Sequence, residues 1–333
     1  MRYIIIGAGA VGGTVGCRLA EAGHDVVLVA RGAHKAAVEE HGLRLRTPVG
    51  TRVHRIPVVG NPAELGGLNQ DDVLFLAVKT QDAEAALDAW GALPVAGGGT
   101  VAEVLPLVCA QNGVESERIA LRRFDRVYGM CVWLPATHVE PGTVAAEGVP
   151  HTGMLHLGRY PGGTDETAGR IAADLEKSNL LAPVVPDVMR WKYNKLLANL
   201  ANALEAVTGP IGTDEARQLY RRARAEGEAA LTAAGIAWVG AEEEREVRGD
   251  RIRLEPVDGA ERGGGSSWQS LARGTGRIEA DYLNGEICLL GRSHGVPTPV
   301  NDALRRMANA FARERRPAGS MPVAELVTVV DGR

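Results

Sequence analysis

Cysteine, aromatic residues, long apolar runs and surplus positive charge are all scarce in this chain. Its four cysteines, Cys17, Cys109, Cys131 and Cys288, stand far apart, with no C-x-x-C pair and no histidine at ligand spacing. Neither a disulfide scaffold nor a zinc site is expected, and no metal is assigned. Aromatics are 4% of residues, and no apolar run reaches the roughly 18 residues a membrane helix needs. The start Met-Arg-Tyr-Ile-Ile-Ile-Gly lacks the apolar region and cleavage site of a secretory leader, so a cytoplasmic location is expected. Lys and Arg number 37 against 41 Asp and Glu, a net charge of −4. That removes the broad basic footprint of a nucleic-acid binder.

Glycine is abundant, 42 of 333 residues, with no collagen period. Such a surplus signals many tight turns and a backbone that a ligand can approach closely. The length is about twice that of the commonest domain, so one large domain or two ordinary ones is expected. Residues 1–130 alternate β-branched runs with helical stretches. Tyr3–Ile6, Asp25–Val29, Val73–Val78 and Val104–Cys109 are almost wholly apolar, as strands covered on both faces of a parallel sheet must be. Ala10–Ala22 and Ala83–Trp90 read as helices between them, giving an α/β, doubly wound N-terminal domain. Val127–Leu157 breaks into strand-like pieces that extend a sheet less regularly, and Thr167–Lys177 reads as a helix. Beyond Pro186, Met189–Val207, Asp214–Ala234, Ser267–Cys288 and Val300–Arg313 carry helical periodicity. The expected division is therefore 1–185 and an all-α 186–333. Residues 240–265 read as a solvated helix end and a glycine-rich loop, to which no function is assigned.

Gly7-Ala8-Gly9-Ala10-Val11-Gly12 follows the first strand and opens a helix. In that setting the first glycine makes the turn, Gly9 admits a pyrophosphate to the backbone, and Gly12 lets helix pack on strand. A dinucleotide is the expected ligand, its phosphates at the helix N-terminus. An NAD enzyme would place an acid near the end of the second strand, but this chain reads Val29-Ala30-Arg31-Gly32 with no acid from Val26 to Ala37. Arg31 is suited to clamp a 2′-phosphate, with Lys35 assisting, so NADP(H) is expected; the alternative is that Arg31 simply faces solvent.

Two further strand ends run into polar residues: Val78-Lys79-Thr80-Gln81 and Gln111-Asn112-Gly113. Both belong at the carboxyl edge, where ligands bind, although Asn112-Gly113 is equally a turn dipeptide and Lys79 equally a surface residue. In Trp191–Leu204, Asn199 lies roughly 40° and Asn202 roughly −20° around a helix from Lys195, forming one polar stripe among Leu and Ala. Asparagine is a poor helix former, so this stripe suggests a site, with an ordinary exposed face as the alternative. A partly desolvated lysine can act as a general acid.

Taken in order, the Gly-Ala-Gly-Ala-Val-Gly-Gly start, Val78-Lys79-Thr80-Gln81, Gln111-Asn112-Gly113, Trp191-Lys192-Tyr193-Asn194-Lys195, and Ser267 followed by Arg277-Ile278-Glu279-Ala280-Asp281-Tyr282-Leu283-Asn284-Gly285 resemble the ketopantoate reductase family. The likeness runs over nearly the whole chain. It implies an N-terminal Rossmann-type sheet, an all-helical C-terminal domain, NADPH, and reduction of the 2-oxo group of ketopantoate to pantoate. By the same resemblance Lys195 is the general acid and Glu279 binds the substrate through its hydroxyl. Ser267 takes the carboxylate side, Asn112 and Asn199 hold substrate, and Lys79 and Asn112 line the cofactor crevice; Asn202, on the helical stripe of Lys195 and one position before the family's second asparagine, is a further candidate to hold substrate. The partner implied is a small 2-oxo acid, and the sequence, compatible with a homodimer, sets no oligomeric state. Two departures bear on the substrate: Ala203 stands eight residues after Lys195, where the family commonly has asparagine, and Trp268 brings bulk beside Ser267. A different 2-oxo acid, or a silent NADP(H) sensor, are the alternative readings. A β-hydroxyacid or sugar-acid dehydrogenase would share the helical lysine but not the Ser267–Glu279 pairing.

Overall fold

The computed structural model describes residues 1–258 and 264–332. The chain forms two compact units, Met1–Lys192 with Gly240–Glu261, and Tyr193–Val239 with Arg262–Arg333. The change-over lies inside the helix Val188–Asn199, a little beyond residue 185, and the stretch from Gly240 returns to the first unit.

The first unit is built on a seven-stranded sheet. Its order is Met154–Arg159, Val127–Trp133, Leu107–Cys109, Asp72–Leu76, Arg2–Ile6, Asp25–Val29, Val58–Val59. All neighbours run parallel except the edge strand Met154–Arg159, which is antiparallel to Val127–Trp133. The apolar runs explain why. Side chains alternate across a strand, so Tyr3, Ile5, Val26, Leu28, Phe75 and Val108 join the core on one face. Ile4, Ile6, Val27, Val29, Leu74, Leu76 and Leu107 join the core on the other. Both faces are covered, and a sheet of this kind is stable only between two layers.

Arg2–Ile6 pairs with Asp25–Val29 on one side and Asp72–Leu76 on the other. The strand order reverses direction there, which opens a crevice beyond the carboxyl ends of these strands. The strands at Val73–Val78 and Val104–Cys109 prove shorter, Asp72–Leu76 and Leu107–Cys109; the second starts late because Val101–Val104 closes as a short helix with a Thr100–Glu103 capping box.

Two smaller sheets were not legible in the sequence. Gly50–His54, Leu43–Thr47, Thr143–Ala146 and Ala136–Glu140 form a four-stranded sheet, and Gly148–Pro150 pairs with Ile252–Leu254. Part of the presumed solvated stretch 240–265 is thus ordered structure, a helix at Ala241–Arg248 followed by that strand. Residues 259–263 of the stretch lie outside the described residues.

The second unit is helical throughout its described residues. Periodicity predicts single helices over Met189–Val207 and Ser267–Cys288, and each is divided. The first breaks at Leu200 into Val188–Asn199 and Ala201–Thr208. The second is Ser266–Ala272, a short turn at Ala280–Tyr282 and Asn284–His294. Gly274 and Gly276, both at positive φ, end the helical path between them. Leu204, Val207, Leu219, Leu304, Phe311 and Leu326 form its core. A polar knot braces it: buried Asn284 donates to Leu200 O (3.2 Å) and Asn301 Oδ1 (3.0 Å). Glu226 accepts from the backbone N–H groups of Val300 and Asn301 at the start of Pro299–Glu314.

Candidate active site

The glycine-rich turn has the geometry its sequence requires. The backbone N–H groups of Gly7 and Ala8 both donate to Val29 O, at 3.1 Å, so the turn closes against the neighbouring strand. Gly7 sits at φ +106°, and a Cβ there would stand 2.8 Å from Val78 N. At Gly12 a Cβ would overlap Gly7 O and lie 2.8 Å from Ile5 Cγ2 and 2.9 Å from Ala77 Cβ, so only glycine allows helix and strand to approach this closely. Gly9 differs. It is the N-cap of Ala10–Glu21, and no heavy atom lies within 4 Å of where its Cβ would be. The first turn of that helix, with Ala10 and Val11, carries no acid. Open space over Gly9, a closed turn beneath it and an uncontested helix N-terminus fit a pyrophosphate.

His34, unremarked in the sequence, secures the same turn. The Gly142 N–H donates to His34 Nδ1 (3.0 Å), so Nε2 carries the proton and donates to Ala8 O (2.8 Å). Burial lowers its pKa and keeps the ring neutral. Its partners lie 26 and 108 residues away, which no local pattern reveals.

Arg31 lies exposed just past the second strand as the N-cap of Gly32–His41, and its guanidinium has no hydrogen-bond or ion-pair partner among the described residues. Lys35 does not stand with it as a second free cation: its ammonium is held by Glu39 (2.7 Å) and Glu64 (3.3 Å).

At the ends of the next two strands, Lys79 is half-buried ahead of the turn Thr80–Asp82, and Gly113 takes φ +78°, so Asn112-Gly113 is a turn. Asn112 is half-buried, with Oδ1 shielded and unpartnered. Gln111 links the two loops by donating from Nε2 to Val78 O (2.8 Å). Beneath it lies a buried ion pair that the sequence did not disclose, Lys192 with Glu117. Lys192 also donates to Gln111 O (2.9 Å) and Met130 O (3.3 Å), so its ammonium is committed to protein acceptors. Burial pushes the Glu117 carboxyl upward, and the adjacent ammonium opposes that shift.

The second unit holds the other candidates. Lys195 is half-buried; Asn199, Ser267 and Glu279 are buried. Asn199 Nδ2 has no acceptor among the described residues. Asn202 donates to Ser266 Oγ (3.3 Å), across the packing of Ala201–Thr208 on Ser266–Ala272, and so sits beside Ser267. Glu205 accepts from Gly265 N (2.8 Å) at the start of that second helix. Glu279 precedes the short turn Ala280–Tyr282, which packs on Asn284–His294 and Pro299–Glu314. Ala203 is core, and Trp268 packs on the same core and against Gly264.

An open, mainly parallel sheet with a glycine-rich turn at its switch point, followed by a helical unit with sheltered polar groups, is the architecture of a two-unit dinucleotide-binding protein, and the family it matches makes it an oxidoreductase. The family described as ketopantoate reductase PanE/ApbA matches residues 3–162, and its C-terminal counterpart matches residues 187–312. The chain belongs to the ketopantoate reductase family. It is 30% identical over 347 residues to the 2-dehydropantoate 2-reductase of Mesorhizobium japonicum, covering 95% of this chain and 99% of that one. The enzyme of the same name from Mycobacterium tuberculosis is 30% identical over 310 residues, covering 90% and 94%. The crystal structure of a PanE/ApbA family ketopantoate reductase from Ralstonia eutropha superposes with a TM-score of 0.75 at 26% identity, covering 95% and 100%. D-mandelate dehydrogenase with NADH shares the fold, with a TM-score of 0.78 at 23% identity and coverage of 95% and 100%. No helix of the described residues is long and apolar enough to cross a membrane.

Proposed function

We propose that this chain reduces a 2-oxo acid, foremost 2-dehydropantoate to pantoate, with NADPH. The observation that carries this reading is the set Lys195, Asn199, Ser267 and Glu279, all sheltered from solvent within the helical unit. When bound, the reduced nicotinamide supplies hydride to the carbonyl carbon of the substrate. Lys195 delivers a proton to the carbonyl oxygen as negative charge develops on it, and the product is the 2-hydroxy acid. Asn199, with an uncommitted amide donor, steadies that oxygen or the carboxylate, and Ser267 donates to the carboxylate. Glu279 accepts from the substrate hydroxyl, while Asn112 and Lys79 line the nicotinamide side. Gly7 to Gly12 cradle the pyrophosphate, and Arg31, exposed and unpaired, clamps the 2′-phosphate.

The test is NADPH absorbance followed with ketopantoate beside a panel of other 2-oxo acids, and with NADH in place of NADPH. Ketopantoate turnover, with at least a tenfold preference for NADPH in kcat/KM, about 1.4 kcal/mol, is the expected result. Activity on another acid alone would move the substrate and keep the reaction; Ala203 and Trp268 are the departures that make this the second reading. Absence of turnover with tight NADPH binding would instead make the protein a sensor.

A further inference from the structure

We infer that the buried Lys192–Glu117 pair is a positioning device that holds the loops facing the cofactor, a role that rests on the placing of Asn112 and Lys79 above. Lys192 is 2% exposed and Glu117 is 0% exposed. The ammonium ties three different elements together: it is ion-paired with Glu117 in the first turn of Ser116–Leu121 and donates to Gln111 O just past Leu107–Cys109 and to Met130 O within Val127–Trp133. From there a chain of direct contacts leads to the glycine-rich turn. The Gln111 carbonyl is turned inward to Lys192, its side-chain amide holds Val78 O, and Val78 N abuts Gly7 so closely that a Cβ on Gly7 would be 2.8 Å away. Asn112, the next residue, has a shielded Oδ1 with no hydrogen-bond partner among the described residues. A buried ion pair is a weak source of stability, since well-packed apolar residues commonly replace one without loss. Its three-way hold on a cofactor loop is what an apolar pair could not reproduce.

Replacing both partners separates positioning from stability. In Lys192→Met/Glu117→Leu no buried charge is left alone, but Gln111 O and Met130 O lose their donor, so the apo melting temperature is expected to fall by about 5–20 °C, and affinity and kcat are read per folded molecule. The dissociation constant of NADPH, titrated by fluorescence without substrate, should rise at least fivefold. With the best 2-oxo acid, kcat should fall at least tenfold while its KM moves less than threefold. Binding stoichiometry from the same titration corrects for any unfolded fraction. Should the double variant fail to fold, Gln111→Leu cuts the link to Val78 O, leaves the pair in place, and is expected to raise the NADPH dissociation constant in the same way. Unchanged affinity and kcat per folded molecule in whichever variant folds would overturn the inference. If wild type reduces no 2-oxo acid yet binds NADPH, the proposed reaction fails while the affinity arm still decides this one; if it binds no NADPH, both fall.

Discussion

Gly9 and Gly12 belong to one motif, yet alanine at the two positions should have opposite consequences. At Gly12 the added methyl would overlap Gly7 O and press on Ile5 and Ala77 carbons at 2.8 and 2.9 Å, where ordinary carbon contacts are roughly 3.5–4.0 Å. The obstacle is backbone, so helix Ala10–Glu21 must retreat from the sheet. Overpacking of this kind costs about 1–3 kcal/mol, and the upper half of that range applies here. At roughly 2–4 °C per kcal/mol for a unit of this size, the apo melting temperature should drop by about 5–10 °C. At Gly9, φ is −75° and ψ −155°, at the margin of the extended region that alanine tolerates, and no heavy atom among the described residues lies within 4 Å of its Cβ position. In Gly9→Ala the gain of about 0.4–1 kcal/mol through the unfolded chain is offset by the poorer N-cap that alanine makes, so stability should stay within about 1 kcal/mol of wild type. That same space is where the pyrophosphate is read to lie. A methyl there costs about 2 kcal/mol of binding, or roughly 30-fold in the NADPH dissociation constant. Differential scanning fluorimetry without ligand and a fluorescence titration with NADPH measure the two quantities. Gly9→Ala binding NADPH as tightly as wild type would refute the cradle, and an unaltered melting temperature for Gly12→Ala would refute the packing assignment.

Arg31→Ala should lower kcat/KM for NADPH at least tenfold and leave NADH nearly untouched; equal losses with both cofactors would remove the 2′-phosphate role. Lys195→Ala should cut kcat by about 10²–10⁴, the usual worth of a general acid, with NADPH affinity retained. Glu279→Ala should act chiefly on substrate KM and kcat/KM, and an unchanged KM would leave it a structural residue. His156, buried and stacked on Trp191, has its pKa pushed down to about 4 by burial, against 6.5 when unfolded. The unfolded chain therefore binds the extra proton between those values, and stability falls as pH drops from 6.5 toward 4, by roughly 3 kcal/mol in all. Melting curves at pH 7 and pH 5 should show wild type losing more than His156→Phe; parallel losses would show that His156 is not the group responsible.

What could be read from the chain was what depends on neighbours in sequence. Strand cores such as Tyr3–Ile6 and Asp25–Val29 are continuous apolar runs because a sheet covered on both faces demands it, and the glycine-rich turn is short enough for its three glycines to state their own purposes. The polar stripe of Lys195, Asn199 and Asn202 follows from helical spacing, and no periodicity reveals that the helix pauses at Leu200. The small four-stranded sheet escaped because Leu43–Thr47 and Thr143–Ala146 are nearly a hundred residues apart and short, and their pairing is a tertiary matter.

The sequence by itself determined the class: a dinucleotide turn at a parallel sheet, no acid after the second strand, and a lysine and asparagines on one helical face. Tertiary structure alone decided which charges are committed and which are available. Glu39, one helical turn from Lys35, is a local partner. Of more distant partners Lys35 and Lys192 look as free as Arg31 when written in one line, and only folding brings Glu64 to the first and Glu117, Gln111 and Met130 to the second. A salt bridge or a buried hydrogen bond is a fact about distance in space, and for residues many positions apart only the packed chain sets that distance.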